Sequence, residues 1–268
     1  MRLPADYHMH TPLCRHARGE PEAYAAHAVS LGFEEIGFSD HNPMRKDGFD
    51  NWRMNLSDMA SYLGSVRVAR EMHPGLRILV GLEVDYLPGH EDWIRELAAM
   101  HPWDYLIGSV HYIEDWAIDD PSMRPLWEHR DTFEIWSAYF ERLGMAARSG
   151  LFDIIGHADL CKKFGFHPKQ DCSSLYGGFL REAARAGVAV ELNTAGLRKD
   201  CREIYPGLTF LTLARAAGIP ITFGSDAHAP EEVGAGFERA IEHARLAGYT
   251  HAVRLRGREK RAEPLSSP

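Results

Sequence analysis

His8 and His10, in the segment Asp6-Tyr7-His8-Met9-His10, share one face if that segment is extended, because side chains along a strand alternate with a period of two. Two imidazoles then meet at one point, the simplest beginning of a metal site. Residues of the same kind recur down the chain: His16, His41 after Asp40, Glu83, His111, His157, and Asp226 with His228. Each alone has an ordinary reading as a hydrogen-bonded core histidine, a cap or a turn former. Pushed together they would repel and desolvate at a cost of several kcal/mol unless cations held them. Nine groups are too many for one ion, so two or three ions are implied, with Glu83 and its two oxygens as the natural bridge. Nitrogen and carboxylate ligands without thiolate suit zinc, iron or manganese and exclude an iron-sulfur cluster.

The elements that must position these residues alternate. Short apolar runs end at or near each of them: Asp6–His10, Glu35–Ser39, Arg77–Val84, Tyr105–Val110, Asp153–Asp159, Val188–Asn193 and Pro220–His228. Between the runs, apolar residues at helical spacing predict helices over Pro21–Leu31, Leu56–Met72, Glu91–Met100, Thr132–Arg148, Leu175–Ala186 and Leu208–Ala217, several stopped by glycine. No Asn-Gly or Asp-Gly pair joins two strands, so the expected sheet is parallel throughout. Seven β-then-α units favour a distorted TIM-like (β/α)7 barrel, an α/β fold with the metal site at the C-terminal rim of the strands, where groups far apart in the chain converge. Asp115–Glu128 reads as a long loop, with Trp116 and Trp127 suited to a pocket wall. The polar stretch 257–268 reads as a frayed tail, and residues 1–268 as one domain.

Composition narrows the class. Length 268 with 45% hydrophobic residues allows a large core, and the net charge of -8 argues against a nucleic-acid backbone as the main partner. No apolar run reaches the ~20 residues of a membrane span, and no secretory signal is present, so a cytoplasmic protein without a membrane partner is expected. Cys14, Cys161, Cys172 and Cys201 form no Cys-x-x-Cys pair, which suggests neither a disulfide framework nor a thiolate zinc site. Oligomeric state has no signature. The absence of Gly-x-Gly-x-x-Gly and phosphate-loop motifs removes the usual reason to expect a nucleotide fold.

The ordered set His8-x-His10, His16, Asp40-His41, Glu83, His111, Gly156-His157-x-Asp159 and Ser225-Asp226-x-His228 resembles the polymerase and histidinol phosphatase (PHP) family over nearly the whole chain. The phrases Ile107–His111, Gly156–Leu160 and Glu191–Lys199 are similar to its monofunctional histidinol-phosphate phosphatase branch. The resemblance implies three divalent ions (zinc, iron, manganese or a mixture): one on His8, His10, Glu83 and Asp226, a second on Glu83, His111 and His157, a third on His16, His41 and His228. It also implies hydrolysis of L-histidinol phosphate to L-histidinol and phosphate by a hydroxide held between the first two ions. Asp40 and His228 are the two candidates to protonate the leaving group. Arg198 and Lys162 are candidates for the phosphate, and Glu191, Asn193, Glu114, Asp115 and Trp116 for the imidazole and amine of the substrate. A PHP-type nuclease or nucleotide phosphatase would show the same ligands. An amidohydrolase barrel would carry eight strands and a bridging lysine where this chain has His111, and a metal or phosphate sensor would be expected to lose ligands.

Overall fold

The computed structural model describes residues 3–265. Its strands are β1 (Glu35–His41), β2 (Arg77–Asp85), β3 (Tyr105–Ser109), β4 (Tyr112–Ile113), β5 (Trp116–Ala117), β6 (Ile154–Ile155), β7 (Ala189–Asn193), β8 (Ile221–Gly224), β9 (His251–Arg256) and β10 (Glu259–Pro264). Parallel pairing in the order β1-β2-β3-β6-β7-β8 makes one curled sheet. These strands are buried along almost their whole length, as apolar runs covered on both faces must be.

The two edges of that sheet are joined by the segment around Asp6–His10. Asp6 bridges Ile36 on one side and Phe223 on the other, and Met9 bridges Ala227. Backbone hydrogen bonds run from Gly37 N–H to Asp6 O (2.8 Å) and from Tyr7 N–H to Phe223 O (3.1 Å). The seventh stave therefore exists as isolated bridges rather than a continuous ladder. The run Asp153–Asp159 is also shorter than its sequence suggests, since β6 ends at Ile155 and His157 turns the chain with φ +23°.

Helices α1 (Pro21–Leu31), α2 (Met59–Met72), α3 (Glu91–Met100), α4 (Pro125–Glu128), α5 (Thr132–Arg148), α6 (Ser173–Ala186), α7 (Leu208–Ala216) and α8 (Phe237–Leu246) surround the sheet. Apolar stripes such as Trp136, Tyr139, Phe140 and Leu143 on α5 bury against it. Asp131 caps α5 by accepting from the N–H groups of Phe133 and Glu134, and α8, which lies outside the helices expected from the chain, buries Phe237, Ala240, Ile241 and Ala244 at helical spacing. Inside the barrel a smaller cluster of Tyr7, Leu79, Tyr105, Ile107, Ile154 and Leu255 fills the lower half. Gly37 is required there, because a Cβ would stand 2.4 Å from the Tyr105 hydroxyl.

Two features correct the expectation of an all-parallel fold with a frayed tail. β4 and β5 form a small antiparallel hairpin, and so do β9 and β10, which reach Pro264. The turn between β9 and β10 is Gly257-Arg258, both with positive φ, so the primed turn is made by a pair other than Asn-Gly or Asp-Gly. Residues 266–268 of the expected tail lie outside the described residues. Asp115–Glu128 holds β5, a short 3-10 turn and α4 rather than an open loop, with Trp116 and Trp127 buried edge-to-face at 5.2 Å. Among the described residues no helix is long and apolar enough to cross a membrane.

Candidate metal centre

All nine ligand-type residues meet at the C-terminal ends of the parallel strands. His8 and His10 come from the closing segment, with ring centroids 5.2 Å apart. His41 and Glu83 are paired across β1 and β2, His111 follows β3, His157 follows β6, and Asp226 and His228 follow β8. His157 and Asp226 both have positive φ, so the backbone is strained where each strand turns out of the sheet.

Glu83 is the hub. Its Oε1 lies 2.8 Å from His157 Nε2 and 3.5 Å from His111 Nε2. Its Oε2 lies 2.9 Å from His41 Nδ1, 3.2 Å from His8 Nε2 and 3.6 Å from His10 Nε2. Asp226 Oδ1 stands 3.2 Å from His10 Nε2 and 3.9 Å from His8 Nε2. Five groups among the described residues have ligand atoms within 4.8 Å of one another, and three of them are built only from the nine residues: His8-His10-Asp226, His41-Glu83-His111 and His10-His41-His228. His16 stands at the edge, its ring 4.5 Å from His228 and 5.6 Å from His41. Cys14 Sγ also comes within that reach of His16 and His228, although the scattered cysteines suggested no thiolate near the site.

Burial opposes charge on Glu83 and Asp226, yet the surrounding histidines, His8 foremost, hold both carboxyls well below the usual carboxylate range. In return, and against burial, the carboxylates raise His8 well above its ordinary value, His10 to about 9 and His111 to about 10. The carboxylates thus demand positive charge at their centre, and without an ion protons supply it. Burial instead lowers His41 to about 4 and holds His228 well below its ordinary value. Geometry makes the same demand. Among the described residues, His8 Nε2, both nitrogens of His10, His41 Nδ1, His157 Nδ1 and His228 Nε2 are buried without completing a hydrogen bond. A cluster of lone-pair donors left open is what bound cations require, and the donor set fits them.

Behind the rings stand carboxylates that orient them. His8 Nδ1 is 2.7 Å from Glu191 Oε1, His111 Nδ1 is 2.7 Å from Asp85 Oδ1, and His10 Nδ1 is 3.5 Å from Asp40 Oδ1. For His8 and His111 this fixes which ring nitrogen carries the proton, the usual support of a metal-binding histidine, whereas His10 Nδ1 completes no hydrogen bond at its longer distance. Gly224 makes room for it, since a Cβ would stand 2.0 Å from Glu191 Oε1.

Several expected substrate contacts are corrected by these positions. Glu191 is buried beneath the site, where its Oε2 also accepts from His157 N–H (2.9 Å) and Asn193 Nδ2 (3.0 Å). Asn193 is buried beside it, its Oδ1 taken by Ala195 N–H. Lys162 is 1% exposed and turned away, its Nζ held by Asp159 (2.8 Å), Glu203 (3.0 Å) and the Ile204 carbonyl (2.9 Å). Asp40 is fully buried behind His10, accepting the Thr11 hydroxyl and the His41 N–H, and so faces no leaving group. Glu114 points outward to Arg142, Asp115 is exposed and Trp116 belongs to the core, because the β4–β5 hairpin turns at Glu114-Asp115 away from the rim. His228 faces the rim, and burial and the charge of His10 hold its pKa well below the ordinary value.

Above the cluster opens a cavity of about 430 Å³. Its wall carries Arg198, as expected, along with Lys163, Lys199, Asp119, Trp52 and Glu232, which sequence reasoning did not place. Arg198 Nη2 donates to the carbonyls of Ser225 (2.9 Å) and Asp226 (3.1 Å), while Nη1 has no partner among the described residues. Lys163 Nζ reaches Asp119 Oδ2 at 2.9 Å. Asp85 alone among the overlooked residues had a signal in the chain: it follows Glu83 by two in a strand, and so shares its face.

Comparison with known proteins decides the lineage. The PHP domain profile matches residues 6–195, and a PHP-associated profile matches residues 211–242. This chain belongs to the PHP family. It is 41% identical to a Deinococcus radiodurans protein named "Probable histidinol-phosphatase", over 91% of this chain and 93% of that one. A Bacillus subtilis relative named "Histidinol-phosphatase" is 29% identical over 88% of this chain and 98% of that one. The solved fold of Lactococcus lactis histidinol phosphate phosphatase, a complex with zinc, L-histidinol and phosphate, superposes with a TM-score of 0.82 at 20% identity, covering 97% of this chain and 100% of that one.

Proposed function

We propose that this PHP protein is a metal-dependent phosphoric monoester hydrolase that converts L-histidinol phosphate to L-histidinol and phosphate. The observation that carries it is the joint one: nine histidine and carboxylate residues at the rim, five of the histidines with an open buried nitrogen, beneath a cavity walled by Lys163, Arg198 and Lys199. The names of the Deinococcus and Bacillus relatives support the substrate.

Three divalent ions, zinc, iron or manganese, would be held by His8, His10, Glu83 and Asp226, by Glu83, His111 and His157, and by His16, His41 and His228. When bound, such ions lower the pKa of water and neutralise phosphoryl oxygens. The protein's own part is orientation and charge. Glu191 and Asp85 keep the protons of His8 and His111 on Nδ1, turning each Nε2 lone pair toward Glu83. Arg198, with Nη1 unengaged, and the lysines on the same wall supply fixed positive charge for phosphate. Trp52 and Asp119 on the cavity wall offer an aromatic and an acidic surface to an imidazole and an amine. Residues 3–265 act as one catalytic unit, and the cytoplasm suits the four free cysteines.

The test is phosphate release from L-histidinol phosphate beside other phosphomonoesters, a 3′,5′-bisphosphonucleotide and an oligonucleotide, with metal content measured on the same sample. Preferred turnover of L-histidinol phosphate is expected. Preference for a nucleotide would overturn the substrate and leave the metal centre standing.

A further inference from the structure

The connection from β1 to α2 carries none of the nine ligand-type residues, yet it sends a buried guanidinium to the rim. Arg53 is 4% exposed. Its Nε donates to Asp50 Oδ2 (2.8 Å), its Nη1 to the carbonyl (3.1 Å) and Oδ1 (3.2 Å) of Asn42, and its Nη2 to Asp85 Oδ2 (2.7 Å). Two of the three acceptor residues, Asn42 and Asp85, are tied to ligand-type residues. Asn42 follows His41, its N–H donates to the Glu83 carbonyl (2.9 Å), and its Oδ1 accepts the Asp85 N–H (3.0 Å). The other oxygen of Asp85 holds His111 Nδ1 at 2.7 Å.

The neighbouring side chain extends the contact. The Arg53 guanidinium lies 4.4 Å from the Trp52 ring centroid, and that indole stands edge-on to His41 (4.6 Å) and His111 (5.3 Å). Tyr112 stacks on Trp52 and donates its hydroxyl to Asp50 Oδ2 (2.9 Å). A buried arginine needs carboxylates that satisfy its fork of donors, and Asp50 and Asp85 do so. Asp85 is thereby shared between the guanidinium and a metal-site ring.

We propose that Arg53 is a positioning residue for the metal centre: one guanidinium clamps the ends of β1 and β2 beside His41 and Glu83 and, through Asp85, holds His111 in ligating orientation. The proposal rests on the metal-centre reading above. A lysine at 53 keeps the charge but presents a single nitrogen in place of a planar fork, so it cannot hold Asn42, Asp50 and Asp85 together. Loss of an outer partner of a ligating histidine typically weakens metal binding about 10- to 100-fold.

The test uses the full chain loaded with zinc as the probe. Wild type, Arg53→Lys, Asp85→Asn and the double variant are titrated against a chelator-buffered series of free zinc, and the metal-free forms are melted by circular dichroism. Half-occupancy of each single variant is expected at about 10- to 100-fold higher free zinc. The double variant should lose no more than the weaker-binding single, because both changes act on one chain of contacts. Wild-type zinc retention in Arg53→Lys, or losses that simply add in the double variant, would overturn the clamp. If Arg53→Lys does not fold, Asp50→Asn, which loosens the guanidinium without removing it, is read on the same titration: a smaller loss supports the clamp and no loss overturns it. A wild-type protein that holds no zinc, iron or manganese overturns the metal-centre reading and the clamp together.

Discussion

The two ends of the barrel bury similar charges and treat them in opposite ways. At the N-terminal end the β9–β10 hairpin closes the opening, and each buried acid there has basic partners. Glu35, fully buried, takes the Tyr7 hydroxyl and Arg256, with Arg77 at 3.4 Å and Arg254 at 3.8 Å; Asp153 takes Arg258 Nε (2.9 Å) and the Leu106 N–H (2.9 Å). At the C-terminal end, the ionisable partners of Glu83 and Asp226 within ion-pair distance are histidines, several with nitrogens left open. Paired charge at one end holds the barrel shut, and unpaired charge at the other is held in place for ions by the packing beneath it.

This contrast can be broken most sharply at Glu83. Glu83→Gln should lower phosphate release by about 10³-fold or more, the several kcal/mol of charge stabilisation that bound metal provides. The metal-free protein should melt only modestly lower than wild type, because the histidines that Glu83 holds protonated can give up their protons once its charge is gone. A large fall in metal-free melting temperature would mean the rim acids are structural after all. Lys162 is the next test, because it lies toward the rim yet is paired like the charges below. Lys162→Met leaves Asp159 buried without its cation and should cost about 3–5 kcal/mol in denaturant unfolding, with KM unchanged. A raised KM at intact stability would return Lys162 to the phosphate site.

The same lysine has a pH signature. Burial lowers its pKa, but Asp159 and Glu203 outweigh that and raise it above the ordinary 10.5. Its contribution is then fully present below pH 10.5 and is lost as pH rises through the folded value. Melting curves between pH 9 and pH 12, flat in Lys162→Met relative to wild type, check the sign.

At the closed end, Leu255 is fully buried in the inner cluster. Leu255→Ala should cost about 2–5 kcal/mol while kcat per folded molecule stays the same, measured by urea unfolding and by turnover. The smallest effect is expected at Arg258, whose pair with Asp153 is partly solvated. Arg258→Ala should cost roughly 1 kcal/mol, because the guanidinium is partly exposed and the buried Asp153 keeps the Leu106 N–H, and a loss above about 3 kcal/mol would show that the hairpin depends on its ion pairs more than on its apolar contacts.

Much of the rim was legible in the chain because a ligand and its position are set by the same local fact: a short apolar run ends, and His, Asp or Glu follows. His111 after Ile107–Val110 and Asp226 after Ile221–Ser225 read that way without further information. What a side chain touches across the barrel is not local. Glu191 within β7, two residues before its end, looks like any rim acid, and only the closing segment brings His8 against it. Lys162 and Lys163 are adjacent, and the short helical turn at Leu160–Lys162 sends one into the protein and the other to the cavity. The β9–β10 hairpin was hidden because its polar side chains face acids contributed by distant strands, so it lacks an apolar alternation to announce it.

The closing segment has a consequence in time. His8 and His10 leave the ribosome more than two hundred residues before Asp226 and His228, yet the bridges that seat them need β8 in place. Contacts of such long sequence separation form late and slow folding. Until the last strand arrives, the early histidines have no partner carboxylate at 226, so a complete metal centre marks a chain whose barrel has already closed.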